Sequence, residues 1–303
     1  QLKLTPKEKA ALGKKATLDT GAHDANLRAR EFLLRYTKSY LLLAIELFQN
    51  AIDLDPKYAT AYAGMSEACG LLYETHDRDP SWLEKAEESA LKALIYEPSS
   101  SEAYSALGLV YYNKKLLNEA LVAVEKAISF DSDNFFAYWI RGRLYRMMER
   151  DPEAIVDFNK VLDLNGEFHS AYGDLQMSYE KLEDKENLQK TIQRAALFYP
   201  SYLLRNPDDS RARQFYAFTL KRLGRLEEAK KEMYRGIKEN ANDPIIIYNA
   251  ACFYALIGDN AASIENLKKA IDNGFGNYEY IKHDPDLFSL KKEPEFISLL
   301  EGK

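Results

Sequence analysis

Residues 101–134 read SEAYSALGLVYYNKKLLNEALVAVEKAISFDSDN, and the fold of the chain is decided here. Tyr104, Leu107 and Tyr111 recur at helical spacing and form one apolar stripe. Gly108 and Ala120 are small where a first helix approaches a second, because a larger side chain would force the pair apart. Ala127 continues the second helix, and Pro98 closes the preceding unit. The expected unit is a pair of short antiparallel helices. One such hairpin cannot bury its own apolar face, so neighbours must stack on it.

The same residue types return along the chain about every 34 residues, which resembles the tetratricopeptide repeat. Seven repeats are expected, at 22–58, 59–100, 101–134, 135–168, 169–209, 210–243 and 244–277. A leader or capping helix in 1–21, over Lys7–Lys15, precedes them, and capping helices in 278–303 follow. The resemblance implies an all-α, right-handed superhelical solenoid of helix-turn-helix repeats with terminal caps. In the first repeat, the second helix is expected over Leu43–Leu54, with Ala44, Phe48 and Ala51; Ala29 then implies a three-residue insertion around Tyr36–Tyr40. The second repeat keeps Tyr62, Met65, Ser66, Ala86, Ala90 and Ala93, but its turn is expected to be eight residues longer, through Glu74–Trp82. The fourth shows Tyr138, Gly142, Tyr145, Ala154 and Phe158. In the fifth, either the second helix continues past Pro200 to Arg205 or it stops near Tyr199; the terminator at Asn206-Pro207-Asp208-Asp209 favours continuation. The tail predicts short helices at Tyr278–His283 and Pro294–Leu300 about the Asp284-Pro285-Asp286 turn.

A chain of 303 residues with 46% hydrophobic content can bury a large core. Its net charge of −6 argues against a nucleic-acid partner bound through overall basicity. Cys69 and Cys252 lie too far apart in sequence to suggest a disulfide framework or a zinc site, and a reducing, cytoplasmic location is expected. No apolar run approaches the length of a membrane span. The first residue is Gln, which reads as a fragment or processed chain.

No nucleophile elbow, Walker loop, dinucleotide fingerprint or zinc-protease motif occurs, and His23, His76, His169 and His283 fall in different repeats or caps. No catalytic residue, cofactor or metal is therefore expected. His76, Asp77 and Asp79 of the 74–82 segment raise a metal or small-ligand alternative, although carboxylates before Pro80-Ser81 also cap helices.

The tetratricopeptide resemblance implies that places 2, 5, 9 and 12 of each first helix line a groove. The candidate partner-binding residues are Tyr112, Asn113, Phe136, Trp139, Arg143, Arg146, Met177, Arg211, Gln214, Phe218, Tyr248 and Asn249. Aromatic side chains with arginines supply apolar area and carboxylate donors together. An Arg143→Ala/Arg146→Ala variant is expected to keep the fold.

The opening Leu4-Thr5-Pro6-Lys7-Glu8, the segment Asn206-Pro207-Asp208-Asp209-Ser210-Arg211, the segment Tyr248 to Ala255 and the Asp284-Pro285-Asp286-Leu287 ending are similar to the C-terminal repeat region of large bacterial signalling proteins. In those, the array follows a cyclase, a serine/threonine kinase or a winged-helix regulator. The resemblance implies a non-catalytic sensory or partner-binding scaffold for a peptide or protein segment. The alternative is a self-association module, a homodimer, that pairs an upstream domain.

Overall fold

The computed structural model describes residues 17–35, 37–76 and 78–301, and all the regular structure among them is helical. The expected leader helix at Lys7–Lys15 lies outside the described residues. Residues up to Arg150 form one compact unit and those from Asp151 a second. The division falls between the two helices of the expected fourth repeat.

The N-terminal unit comprises α1 (Thr20–Leu33), α2 (Lys38–Leu54), α3 (Ala59–Thr75), α4 (Pro80–Tyr96), α5 (Ser101–Asn113), α6 (Leu117–Phe130) and α7 (Phe135–Met147). Most begin at a residue whose side chain accepts from an otherwise orphaned backbone N–H: Asp19, Thr37, Asp79, Ser100 and Asn134. Two expectations need correction. The second helix of the first repeat does not begin at Leu43 but five residues earlier, at Lys38, and Phe32 stacks on Tyr40 with centroids 5.5 Å apart. The longer second repeat has no long loop either. Its α3 and α4 are 17 residues each, against 13 and 14 for α5 and α6, and only residues 76–79 separate them. Glu74, Thr75 and His76 read as loop residues, yet all three are buried.

Close helix approach is fixed by glycine. A Cβ on Gly108 would lie 2.5 Å from Val124 Cγ1, so the partner of Gly108 is Val124 rather than Ala120. A Cβ on Gly64 would fall on the buried ring of Phe48.

The C-terminal unit comprises α8 (Asp151–Leu164), α9 (Ser170–Lys181), α10 (Lys185–Arg205), α11 (Ser210–Arg222), α12 (Leu226–Glu239), α13 (Pro244–Leu256) and α14 (Asn260–Asp272), then α15 (Tyr278–His283) and α16 (Pro294–Leu300). As expected, α10 runs through Pro200 to Arg205. Proline deprives the Ala196 carbonyl of its helical donor. The helix is held there by its own rings, Phe198, Tyr199 and Tyr202, packed with Tyr172 of α9 and Tyr216 of α11 at centroid distances of 5.1 to 5.7 Å. In the tail the Asp284 turn opens a 3-10 helix, Pro285–Lys292, which the sequence reading missed. Ile281, Leu287, Leu290, Phe296 and Leu300 pack on Ile247, Ala251, Ile264 and Leu267, so the tail covers the apolar side of α13 and α14.

Candidate binding face of the first helices

The steric register locates the face. Ala29, Ser66, Gly108 and Gly142 occupy one position in successive first helices, so the residues three before and one after each are equivalent. That rule gives Asn26 and Arg30 on α1, Ala63 and Glu67 on α3, Ser105 and Leu109 on α5, and Trp139 and Arg143 on α7.

At one end, Arg30 of α1 crosses α3 to reach α5. Its Nη2 donates to Glu102 Oε2 at 2.9 Å and to the Thr60 carbonyl at 3.4 Å. Glu67 is partly buried in the same neighbourhood, and its carboxyl is pushed up to about 7, chiefly by burial, with Arg30 opposing and Glu102 adding to the rise.

At the other end, Arg143 forms an ion pair with Glu74, whose side chain is 5% exposed. The Arg143 guanidinium lies 4.6 Å from the ring centre of Tyr112 and 4.7 Å from that of Trp139. A planar cation between two rings with a carboxylate beside it is held in orientation by three contacts. Lys115, an exposed residue at φ 63° in the α5–α6 turn, places its ammonium 5.5 Å from the Tyr112 ring centre. Its pKa is pushed down by partial burial of the ammonium and then by Arg78 and Arg143, against Glu74. Positive charge is crowded at this corner.

The twelve expected groove residues therefore divide. Tyr112, Trp139 and Arg143 are brought together, with Asn113 and Arg146 half-buried on α5 and α7. Phe136 and Trp139 are buried against one another, centroids 5.4 Å apart, so neither is an open surface. In the second unit Met177 is exposed, while Arg211 and Phe218 are half-buried beside Phe215 and Phe253. Gln214 is buried and donates to the Ile246 carbonyl at 2.6 Å; Asn249 donates to Gln214 at 3.3 Å. Tyr248 is buried, donates to Asp284 Oδ2 at 2.6 Å and stacks on Phe275 at 4.1 Å. Gln214 and Tyr248 thus tie elements of the fold together and are buried, which corrects their reading as groove-lining residues, while Asn249 is half-buried beside Gln214. Arg30, Glu67 and Glu74 were not among the expected groove residues.

Of the 74–82 segment, raised above as a metal or small-ligand alternative, the described residues are engaged in the fold. His76 is buried, Asp79 caps Ser81 N at 2.9 Å, and Asp77 lies outside the described residues. His76 and Asp79 belong to no cluster of three metal-ligating groups among the described residues. The one such cluster is Cys252, Asp284 and Asp286, with ligand atoms within 4.8 Å of one another. Asp284 there accepts from Tyr248 and the Cys252 thiol and caps Asp286 N at 2.9 Å. Burial, then Asp284 and Asp286, push the Cys252 thiol well up, so it is an inert neutral group. Burial likewise pushes Cys69 up to about 12.

The tetratricopeptide repeat family matches residues 101–134. A chloroplastic protein of Arabidopsis thaliana is 32% identical over 81 residues, 26% of this chain and 24% of that protein, so the chain spans about a quarter of that relative. Human IFIT1, solved as a dimer with m7Gppp-AAAA, superposes with a TM-score of 0.59 at 17% identity, covering 78% of this chain and 55% of IFIT1. A tetratricopeptide repeat protein from Parabacteroides merdae ATCC 43184 superposes with a TM-score of 0.50 at 17% identity, covering 89% of this chain and 99% of its own. At these identities the two structures are alike in fold alone. No described helix is long and apolar enough to cross a membrane.

Proposed function

We propose that this tetratricopeptide-repeat protein is a non-catalytic interaction scaffold that binds an extended peptide or protein segment along the first helices of its N-terminal unit. The observation that supports this most is the Arg143 guanidinium fixed between Tyr112 and Trp139 and paired with buried Glu74. A cationic corner so held loses little freedom when a carboxylate docks beside it. Lys115 and Arg146 supply the charge that faces the segment, and Tyr112 the apolar contact. In a bacterial cell such a region would serve as the partner-binding part of a cytoplasmic signalling protein, with protein rather than nucleic acid as partner.

Arg143 is the wrong residue to remove, because its loss strands Glu74 without a partner at a cost of about 3–5 kcal/mol. An Arg143→Ala/Arg146→Ala variant would therefore lose stability as well as charge. Lys115→Gly is the better probe, since a left-handed φ of 63° suits glycine. Lys115→Gly with Arg146→Ala is expected to keep or raise the melting temperature. It should weaken an acidic peptide, selected from a displayed library on the intact chain, about tenfold or more. Unchanged affinity would remove the corner from the binding face.

A second reading, self-association, is favoured by Leu197 and Leu204, 82% and 84% exposed and two turns apart on one face of α10. Leu197→Glu with Leu204→Glu is expected to convert a dimer to a monomer in sedimentation velocity. A wild-type chain that sediments as a monomer at every concentration would end this reading.

A further inference from the structure

The end of the first-helix face opposite Arg143 has the reverse charge. Arg30, Glu67 and Glu102 meet there from three successive first helices, two carboxylates against one guanidinium. The other acids of this face are paired, Glu102 with Arg30 and Glu74 with Arg143. Glu67 makes no hydrogen bond or ion pair with a described residue. A second observation is independent of the acids. Asn26, one turn before Arg30 on the same side of α1, is 3% exposed, and its Oδ1 is buried without a hydrogen-bond partner. A buried acceptor left unmade costs about 1–3 kcal/mol. Both features ask for a donor carrying one positive charge.

We propose that the face between α1, α3 and α5 binds a single cationic side chain, lysine or arginine, of the docked segment, with Glu67 and Glu102 as its carboxylate partners and Asn26 as the neutral acceptor. This rests on the reading that the face takes an extended segment. A metal ion is not what the geometry fits, because no three ligating groups converge there among the described residues. The two ends of the face then differ in sign, and the segment has one direction: its basic residue at Glu67 and its acidic residue at Lys115 and Arg146. The charged groups acting on Glu67 are Arg30 from α1 and Glu102 from α5. With the Glu67 carboxyl at about 7, the cluster changes from near neutral to one net negative charge as pH rises through neutrality.

The test is a displayed random-peptide library selected at pH 8 on the intact chain. Fluorescence titration of one enriched peptide and its lysine-to-norleucine counterpart follows, on wild type and Glu67→Gln. Glu67→Gln removes a charge without changing size, and circular dichroism checks its fold. The expected result is a basic residue at a constant position among enriched peptides. The norleucine peptide and Glu67→Gln should each bind about tenfold more weakly at pH 8. Wild type should gain about tenfold in affinity between pH 6 and pH 8, as the ionised fraction of Glu67 rises, and Glu67→Gln should not. Enriched peptides with no basic position, or a Glu67→Gln variant that binds equally well, would overturn the inference and leave the binding face standing. No enrichment at all would overturn the binding-face reading itself, and this inference with it.

Discussion

Gly64→Ala will destabilise the N-terminal unit, by about 1–3 kcal/mol, although alanine is the better helix former. The sign is diagnostic because two effects oppose. In the interior of α3 glycine forgoes about 0.5–1 kcal/mol of helix propensity relative to alanine. The added Cβ, however, would land on the Phe48 ring, and Phe48 is completely buried on α2. Leu41, Ala44 and Ala51 of its own helix are buried with it, and close-packed interiors give a ring little room to move. Overpacking therefore outweighs propensity. Thermal unfolding should show the transition lowered by roughly 2–4 °C per kcal/mol for a chain of this size. Phe48→Leu introduced into the Gly64→Ala background should recover part of the loss, because it removes the ring that clashes. A Gly64→Ala variant that melts higher than wild type would mean that α2 and α3 do not approach as described.

Helix positions were legible because their signals are local. Gly108 marked a close approach, and Asn206 to Asp209 marked the end of a helix that Pro200 alone would have ended early. The misreadings arose where a residue's character and its surroundings disagree. Glu74, Thr75 and His76 are polar and follow an apolar run, which reads as a loop; burial beside Arg143 is invisible until the helices are assembled. Phe136 and Trp139 had the chemistry of a contact surface, but residue type does not say whether a ring faces a partner or a neighbouring helix. Arg30 and Glu67 could have been found. Their places follow from Ala29 and Ser66 by the offset that links Gly108 to Leu109, and the insertions of the first two repeats drew attention to the turns instead.

Asp209→Ala is expected to cost the C-terminal unit about 2–4 kcal/mol, the lost cap together with the buried hydroxyl it leaves unpaired. Asp209 and His169 are each about 2% exposed in their side chains, with Asp209 Oδ2 3.3 Å from His169 Nε2. Tyr202 donates to the same oxygen at 2.8 Å, and Oδ1 caps α11 through Ala212 N at 2.8 Å. One carboxylate thus serves the Pro200-containing helix, the start of α11 and the residue that opens α9. Alanine removes the cap, worth about 1 kcal/mol, and leaves the Tyr202 hydroxyl and His169 buried without it. Asn at this position can still cap and still accept from Tyr202, so Asp209→Asn should lose less, and the difference isolates the charge. The pH dependence has a definite sign. Burial alone would raise the Asp209 carboxyl, but His169 beside it and the donors Ala212 N and Tyr202 Oη outweigh that and hold it below the ordinary carboxylate range. A carboxyl lowered on folding contributes stability that is complete above its unfolded pKa of about 3.9 and is lost as pH falls through the folded value. Denaturant midpoints for wild type should therefore fall more steeply than those of Asp209→Asn as pH drops below about 4. Parallel pH profiles for the two would mean that Asp209 holds these helices through its cap alone.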